Sequence, residues 1–117
     1  MARILVIDDE PLIAMAVSEW LADLGHVVVG PAADLASALA LVEEPIDAAI
    51  LDVSLGKEDS APVARRLIDR KIPFAVASGH EVKTLEQPFA SGLELAKPFG
   101  FENFRQVVER LLAGKSG

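Results

Sequence analysis

Two hydrophobic periods alternate along the chain. Ile4-Leu5-Val6-Ile7 is a continuous apolar run rich in β-branched residues. Such a run reads as a short strand buried on both faces. Ile13, Ala16, Val17, Trp20, Leu21 and Leu24 then recur at helical spacing, and Gly25 suits the end of that helix. Val27-Val28-Val29 predicts a second strand. Asp34 is placed to cap a helix carrying Leu35, Ala38, Leu39 and Val42, which Pro45 must end. Ala48-Ala49-Ile50-Leu51 predicts the third strand, and Ser60 with Pro62 opens a helix whose apolar positions include Leu67 and Ile68. Phe74-Ala75-Val76-Ala77 predicts a fourth strand and Leu93 to Ala96 a short fifth. Between them, residues 79–92 read as irregular, because Pro88 breaks any continuous helix there. Phe104, Val107, Val108, Leu111 and Leu112 give the clearest amphipathic helix, before Gly114.

Five strand–helix units in sequence predict an α/β domain, with a parallel sheet and helices on both faces. Each crossover is expected to be right-handed. In such doubly wound sheets, ligands bind beyond the C-terminal ends of the strands. That rule directs attention to the residues following each apolar run.

Composition narrows the possibilities. The 117 residues are the size of one domain, and 51% are hydrophobic, enough for a sizeable core. One domain over residues 1–117 is expected. No segment approaches the ~20 apolar residues of a membrane span, and the start of the chain lacks a signal-peptide pattern. With no cysteine there is neither a disulfide framework nor a thiolate metal site, and a cytoplasmic location is the default. A net charge of −7 argues against direct binding to DNA, which needs clustered Lys and Arg.

Polar residues close each strand. The first ends in Asp8-Asp9-Glu10, the third in Asp52, the fourth in Ser78-Gly79, and the fifth in Lys97-Pro98. On a parallel sheet these groups gather on one edge. Two carboxylates ~4 Å apart repel by about 4 kcal/mol at an effective dielectric near 20. Three in one pocket call for a cation. The ligands on offer are oxygens, which favour Mg²⁺.

The four segments ILVIDDEP, LDVSLG, FAVASGH and AKPF, in that order, resemble the receiver domains of bacterial response regulators along the whole chain. The resemblance implies a flavodoxin-like (βα)5 fold with strand order 2-1-3-4-5. It implies that Asp52 is the phosphoacceptor in two-component signalling, with Mg²⁺ as the cofactor. By the same resemblance Asp9 is a direct metal ligand, and Asp8 a ligand mostly through water. Asp52 and the backbone carbonyl of Ser54 complete the metal set. Ser78 matches the hydroxyl that bonds the phosphoryl group. Lys97 matches the lysine that pairs with Asp52 or its phosphate, and Lys97-Pro98 the family's usual cis peptide. The partners implied are a sensor histidine kinase or a histidine phosphotransfer protein, and a downstream protein target. Enzymatic activity would be limited to self-phosphorylation and self-dephosphorylation.

Each motif alone has an ordinary reading. Asp8-Asp9 could be a solvated turn, Ser78 could bond backbone, and Lys97-Pro98 could be a surface dipeptide. His26 reads as structural or exposed, and Trp20, Phe74, Phe99 and Phe104 as packing residues. His80 is either a surface residue or a group that tunes access of water to the phosphate. The rival function is a small phosphatase with an aspartate nucleophile, of the haloacid-dehalogenase type. Such enzymes space their first-strand acids two apart and carry a cap domain, whereas Asp8 and Asp9 are adjacent.

One departure concerns the switch. Most receivers carry an aromatic three residues before the lysine, and here that position is Glu94, which cannot fill an apolar slot cheaply. The run Pro73-Phe74-Ala75-Val76-Ala77-Ser78-Gly79-His80 partly resembles the Pro-Phe-x-Phe-Ala-Thr-Gly-Tyr signature of mostly alphaproteobacterial single-domain receivers. With Ser78, Glu94, Lys97 and Pro98 as switch residues, the expected response is ordering of residues 79–92 instead of an aromatic swing.

Overall fold

The computed structural model describes residues 1–79 and 87–113. In chain order the elements are β1 (Arg3–Ile7), α1 (Pro11–Asp23), β2 (Val27–Ala32), α2 (Leu35–Leu41) and β3 (Ala48–Asp52). The hairpin β4 (Ser54–Leu55) and β5 (Glu58–Asp59) follows, then α3 (Ala61–Asp69) and β6 (Phe74–Ser78). A 3-10 turn, Phe89–Ser91, leads into β7 (Leu93–Ala96), and α4 (Phe101–Ala113) closes the described chain.

The five long strands form one parallel sheet in the order β2-β1-β3-β6-β7. Counting only those strands, this is the 2-1-3-4-5 arrangement of a flavodoxin-like fold. The apolar runs are continuous because both faces of the sheet are covered. In β1, Leu5 and Ile7 face one core layer, while Ile4 and Val6 face the other. Ala38 and Val42 of the α2 segment, and Val63, Ala64 and Leu67 of α3, fill the first layer. Val17 and Leu21 of α1, and Phe104, Val107, Val108 and Leu111 of α4, fill the second. Each of the Val, Leu and Phe side chains among them contributes on the order of 1.5–3 kcal/mol on burial. No helix among the described residues is long and apolar enough to cross a membrane.

Local signals explain the helix ends. Asp34 caps α2, its carboxylate accepting the Ser37 N–H at 2.7 Å. Pro11 and Pro62 sit in the first turns of α1 and α3, where a missing N–H removes no helical bond. Two apolar positions are corrected: Ala38 and Leu67 are buried, but their neighbours Leu39 and Ile68 are exposed. The buried face of α3 is Ala61, Val63, Ala64 and Leu67, the 3.6-residue stripe that excludes the next position.

Of the segment expected to be irregular, His80 and residues 81–86 lie outside the described residues, so the expected roles of His80 and of ordering over 79–92 are not addressed by this fold. Gln87 and Pro88 form a turn before the 3-10 residues. Gly92 follows, packed so closely that a Cβ would sit 2.7 Å from the Phe74 ring and 2.8 Å from Val76 Cγ2.

Candidate functional site

The sheet delivers the strand-end residues to neighbouring positions. The Asp8 N–H donates to the Ala32 carbonyl at 3.0 Å, so Asp8 follows directly from the edge of the paired strands. Asp52 is the last residue of β3, in register with Ala77. Ser78 is the last residue of β6, and its carbonyl accepts the Lys97 N–H at 2.9 Å. The Lys97-Pro98 peptide is cis. Asp8, Asp52 and Ser78 are all buried.

Asp9, Glu10, Asp52, Val53, Ser54, Ser78, Gly79 and Lys97 line a cleft of about 450 Å³. One carboxylate oxygen each from Asp8, Asp9, Glu10 and Asp52 lie within 4.8 Å of one another. Lys97 is the cation among them. Its Nζ is 2.9 Å from Glu10 Oε1, 3.3 Å from Asp52 Oδ2 and 3.7 Å from Asp8 Oδ2.

The charges explain the protonation behaviour. Burial pushes the Asp8 carboxyl up to about 6, and the neighbouring Asp52 charge adds to that push. The Glu10 N–H, donating to Asp8 Oδ1 at 2.9 Å, and Lys97 act in the opposite direction. For Lys97, burial favours the neutral amine, but the hydrogen bond to Glu10 and the charges of Asp52 and Asp8 outweigh it. The ammonium is therefore held above its ordinary pKa.

Three supporting residues were not singled out by the sequence. Ser60, fully buried, donates its hydroxyl to the backbone carbonyls of Asp52 at 2.5 Å and Val53 at 3.0 Å. The hydroxyl expected only to open α3 thus fixes the backbone at Asp52. Gly56, with φ +66, turns the β4–β5 hairpin and donates its N–H to Asp9 Oδ2 at 2.7 Å. Its positive φ is the conformation glycine adopts without strain. Glu10 provides the shortest contact to Lys97. A two-residue hairpin carries no periodic signal, so β4, β5 and the Gly56 contact were invisible in the hydrophobic pattern.

Ser54 lies on β4 opposite Asp59 and lines the cleft. Glu94 does not: it is exposed on β7, in register with Val76. His26 is structural, its Nδ1 accepting the Ala2 N–H at 3.1 Å. Trp20 packs edge-on against Phe99 and Phe101, with ring centroids 6.2 and 5.8 Å away.

The donor set fits a hard divalent cation. It consists of oxygens, it is crowded, and the raised Asp8 pKa reflects burial and crowding that a bound cation would offset. The arrangement can therefore hold a metal beside a buried carboxylate with an ammonium 3.3 Å away.

Known proteins share this fold. A solution structure of SdrG from Sphingomonas melonis superimposes with a TM-score of 0.82 at 42% identity, covering 96% of this chain and 97% of that one. The crystal structure of the response regulator TrrA from Thermotoga maritima, in complex with Mg²⁺-BeF, gives a TM-score of 0.82 at 25% identity, with 96% and 100% coverage. The transcriptional regulatory protein PdtaR of Mycobacterium tuberculosis is 30% identical over 112 residues, covering 92% of this chain and 55% of its own length. The chain spans about half the length of the curated relatives it matches. The response regulator receiver domain family matches residues 4–109, across every element that builds the acidic cleft. On that match and this geometry, the chain belongs to the receiver domain family of two-component signalling.

Proposed function

We propose that this chain takes a phosphoryl group onto Asp52 from a histidine kinase or a histidine phosphotransfer protein. The observation that carries the reading is the Lys97 ammonium 3.3 Å from Asp52 Oδ2, which is itself one of four converging carboxylates. An oxygen of Asp52 attacks phosphorus while the bond to the donor breaks and its electron pair leaves with the donor. The product is an acyl phosphate, a known outcome of carboxylate nucleophiles. Charge develops on the transferring oxygens, so catalysis is mostly positioning and charge stabilisation.

The residues divide that work. Asp9 and Asp52 would hold Mg²⁺ directly, Asp8 mostly through water, and the Ser54 carbonyl would supply a further oxygen. When bound, Mg²⁺ supplies positive charge to the carboxylates and the phosphoryl oxygens. Ser78, buried at the end of β6, donates its hydroxyl to a phosphoryl oxygen. Lys97 pairs with another, and its flexible stem suits an anion that comes and goes. Output is binding to a protein target, without DNA or membrane contact. We place the exchange in the cytoplasm.

Acetyl phosphate with Mg²⁺ tests the reading. A receiver gains one base-labile, hydroxylamine-sensitive phosphoryl group per chain. Multiple turnover of phosphate esters without a stable adduct would favour the aspartate-nucleophile phosphatase instead.

A further inference from the structure

We propose that Glu10 is the resting partner of Lys97, and that it sets how readily the lysine transfers to a phosphoryl group on Asp52. The inference rests on the receiver reading above and deepens it.

Lys97 faces three carboxylates at unequal distances. Glu10 is nearest at 2.9 Å, ahead of Asp52 at 3.3 Å and Asp8 at 3.7 Å. It is also the exposed one: 56% of its side chain is accessible, against 10% for Asp52 and 6% for Asp8. The lysine thus rests closest to the partner that is easiest to leave.

Local structure gives a second, independent reason. Glu10 occupies the cap position of α1, where short Asp, Asn, Ser or Thr side chains serve best. It makes no side-chain cap hydrogen bond. The side chain instead crosses to a residue 87 positions away in sequence.

Chemistry then orders the states. A phosphoryl group carries roughly −1.5 to −2 charges and strong acceptor oxygens. It outcompetes a single, half-exposed carboxylate for the ammonium. Glu10 is then left as an exposed anion beside another anion. The Glu10–Lys97 contact stabilises the resting state only, and so opposes phosphorylation. An exposed pair of this kind shifts an equilibrium by roughly two- to fivefold.

Beryllofluoride binding at saturating Mg²⁺, followed by calorimetry, tests this on the full chain. Glu10→Gln removes the charge; Glu10→Asp keeps it on a side chain one methylene too short. Both should tighten beryllofluoride by roughly two- to fivefold. In a Lys97→Met background the gain should vanish for both. Three results would overturn the inference: no change on Glu10→Gln, Glu10→Asp behaving as wild type, or a gain that persists without Lys97. A wild-type chain that binds no beryllofluoride would overturn the receiver reading itself.

Discussion

The Ser60 hydroxyl donates to the backbone carbonyl of Asp52 at 2.5 Å, from a fully buried position eight residues further along the chain. The same hydroxyl lies 3.0 Å from the Val53 carbonyl. One small side chain thus clamps the backbone where β3 leaves the sheet, and the β4–β5 hairpin between the partners is held against the cleft.

Ser60→Ala removes the hydroxyl donor from the Asp52 carbonyl in a buried setting, while the Val53 carbonyl keeps the Ser60 N–H at 2.9 Å. The expected loss of stability is about 1–3 kcal/mol, read from urea unfolding. Because the clamp positions Asp52, acetyl phosphate labelling should also slow. An unchanged urea midpoint would show that the contact does not hold the fold.

Asp8 makes the metal-free protein sensitive to pH. Folding raises its pKa from 3.8 to about 6. Between those values the folded chain binds more protons than the unfolded one, so this group's contribution is full below about 4 and is lost as pH rises through about 6. Its size is on the order of 3 kcal/mol at most. Mg²⁺ binds the deprotonated site, so its stabilisation should grow across the same window. In chelator, wild type should lose stability relative to Asp8→Asn between about pH 4 and about pH 7. A parallel pair of curves would contradict the assigned shift. Millimolar Mg²⁺ should raise the wild-type Tm near neutral pH, and hardly at the acid end.

Gly92 is required by packing, not by backbone conformation. A Cβ there would meet the Phe74 ring at 2.7 Å and Val76 Cγ2 at 2.8 Å, and both residues are buried. Gly92→Ala should destabilise by about 1–3 kcal/mol through overpacking. A stability equal to wild type in urea would mean that β6 and β7 separate more easily than their packing implies.

Much of this molecule was legible in its sequence. Ile4–Ile7, Ala48–Leu51 and Phe74–Ala77 announce strands because both faces of the sheet are buried, leaving nothing but apolar residues to read. The convergence of Asp8, Asp52, Ser78 and Lys97 followed because a parallel sheet brings its strand ends to one edge. What escaped has physical reasons. Ser60 looks like an ordinary helix opener until its hydroxyl is seen to turn back on Asp52. Gly56 belongs to a hairpin too short for any periodicity. Ile68 reads as core on hydrophobicity alone, yet it falls just outside the stripe set by Ala64 and Leu67. Glu10 reads as a third acid, and only the position of Lys97 shows which acid the lysine prefers.

The central claim is that Asp52 receives the phosphoryl group. Its most direct test is intact-mass and peptide mapping after incubation with acetyl phosphate and Mg²⁺, on wild type and on Asp52→Asn. The amide keeps the shape of the side chain but is a poor nucleophile. Wild type should gain one base-labile phosphoryl group mapping to the peptide that contains Asp52, and the variant should gain none. Equal labelling of the variant, or a wild-type adduct that maps to another residue, would contradict the assignment.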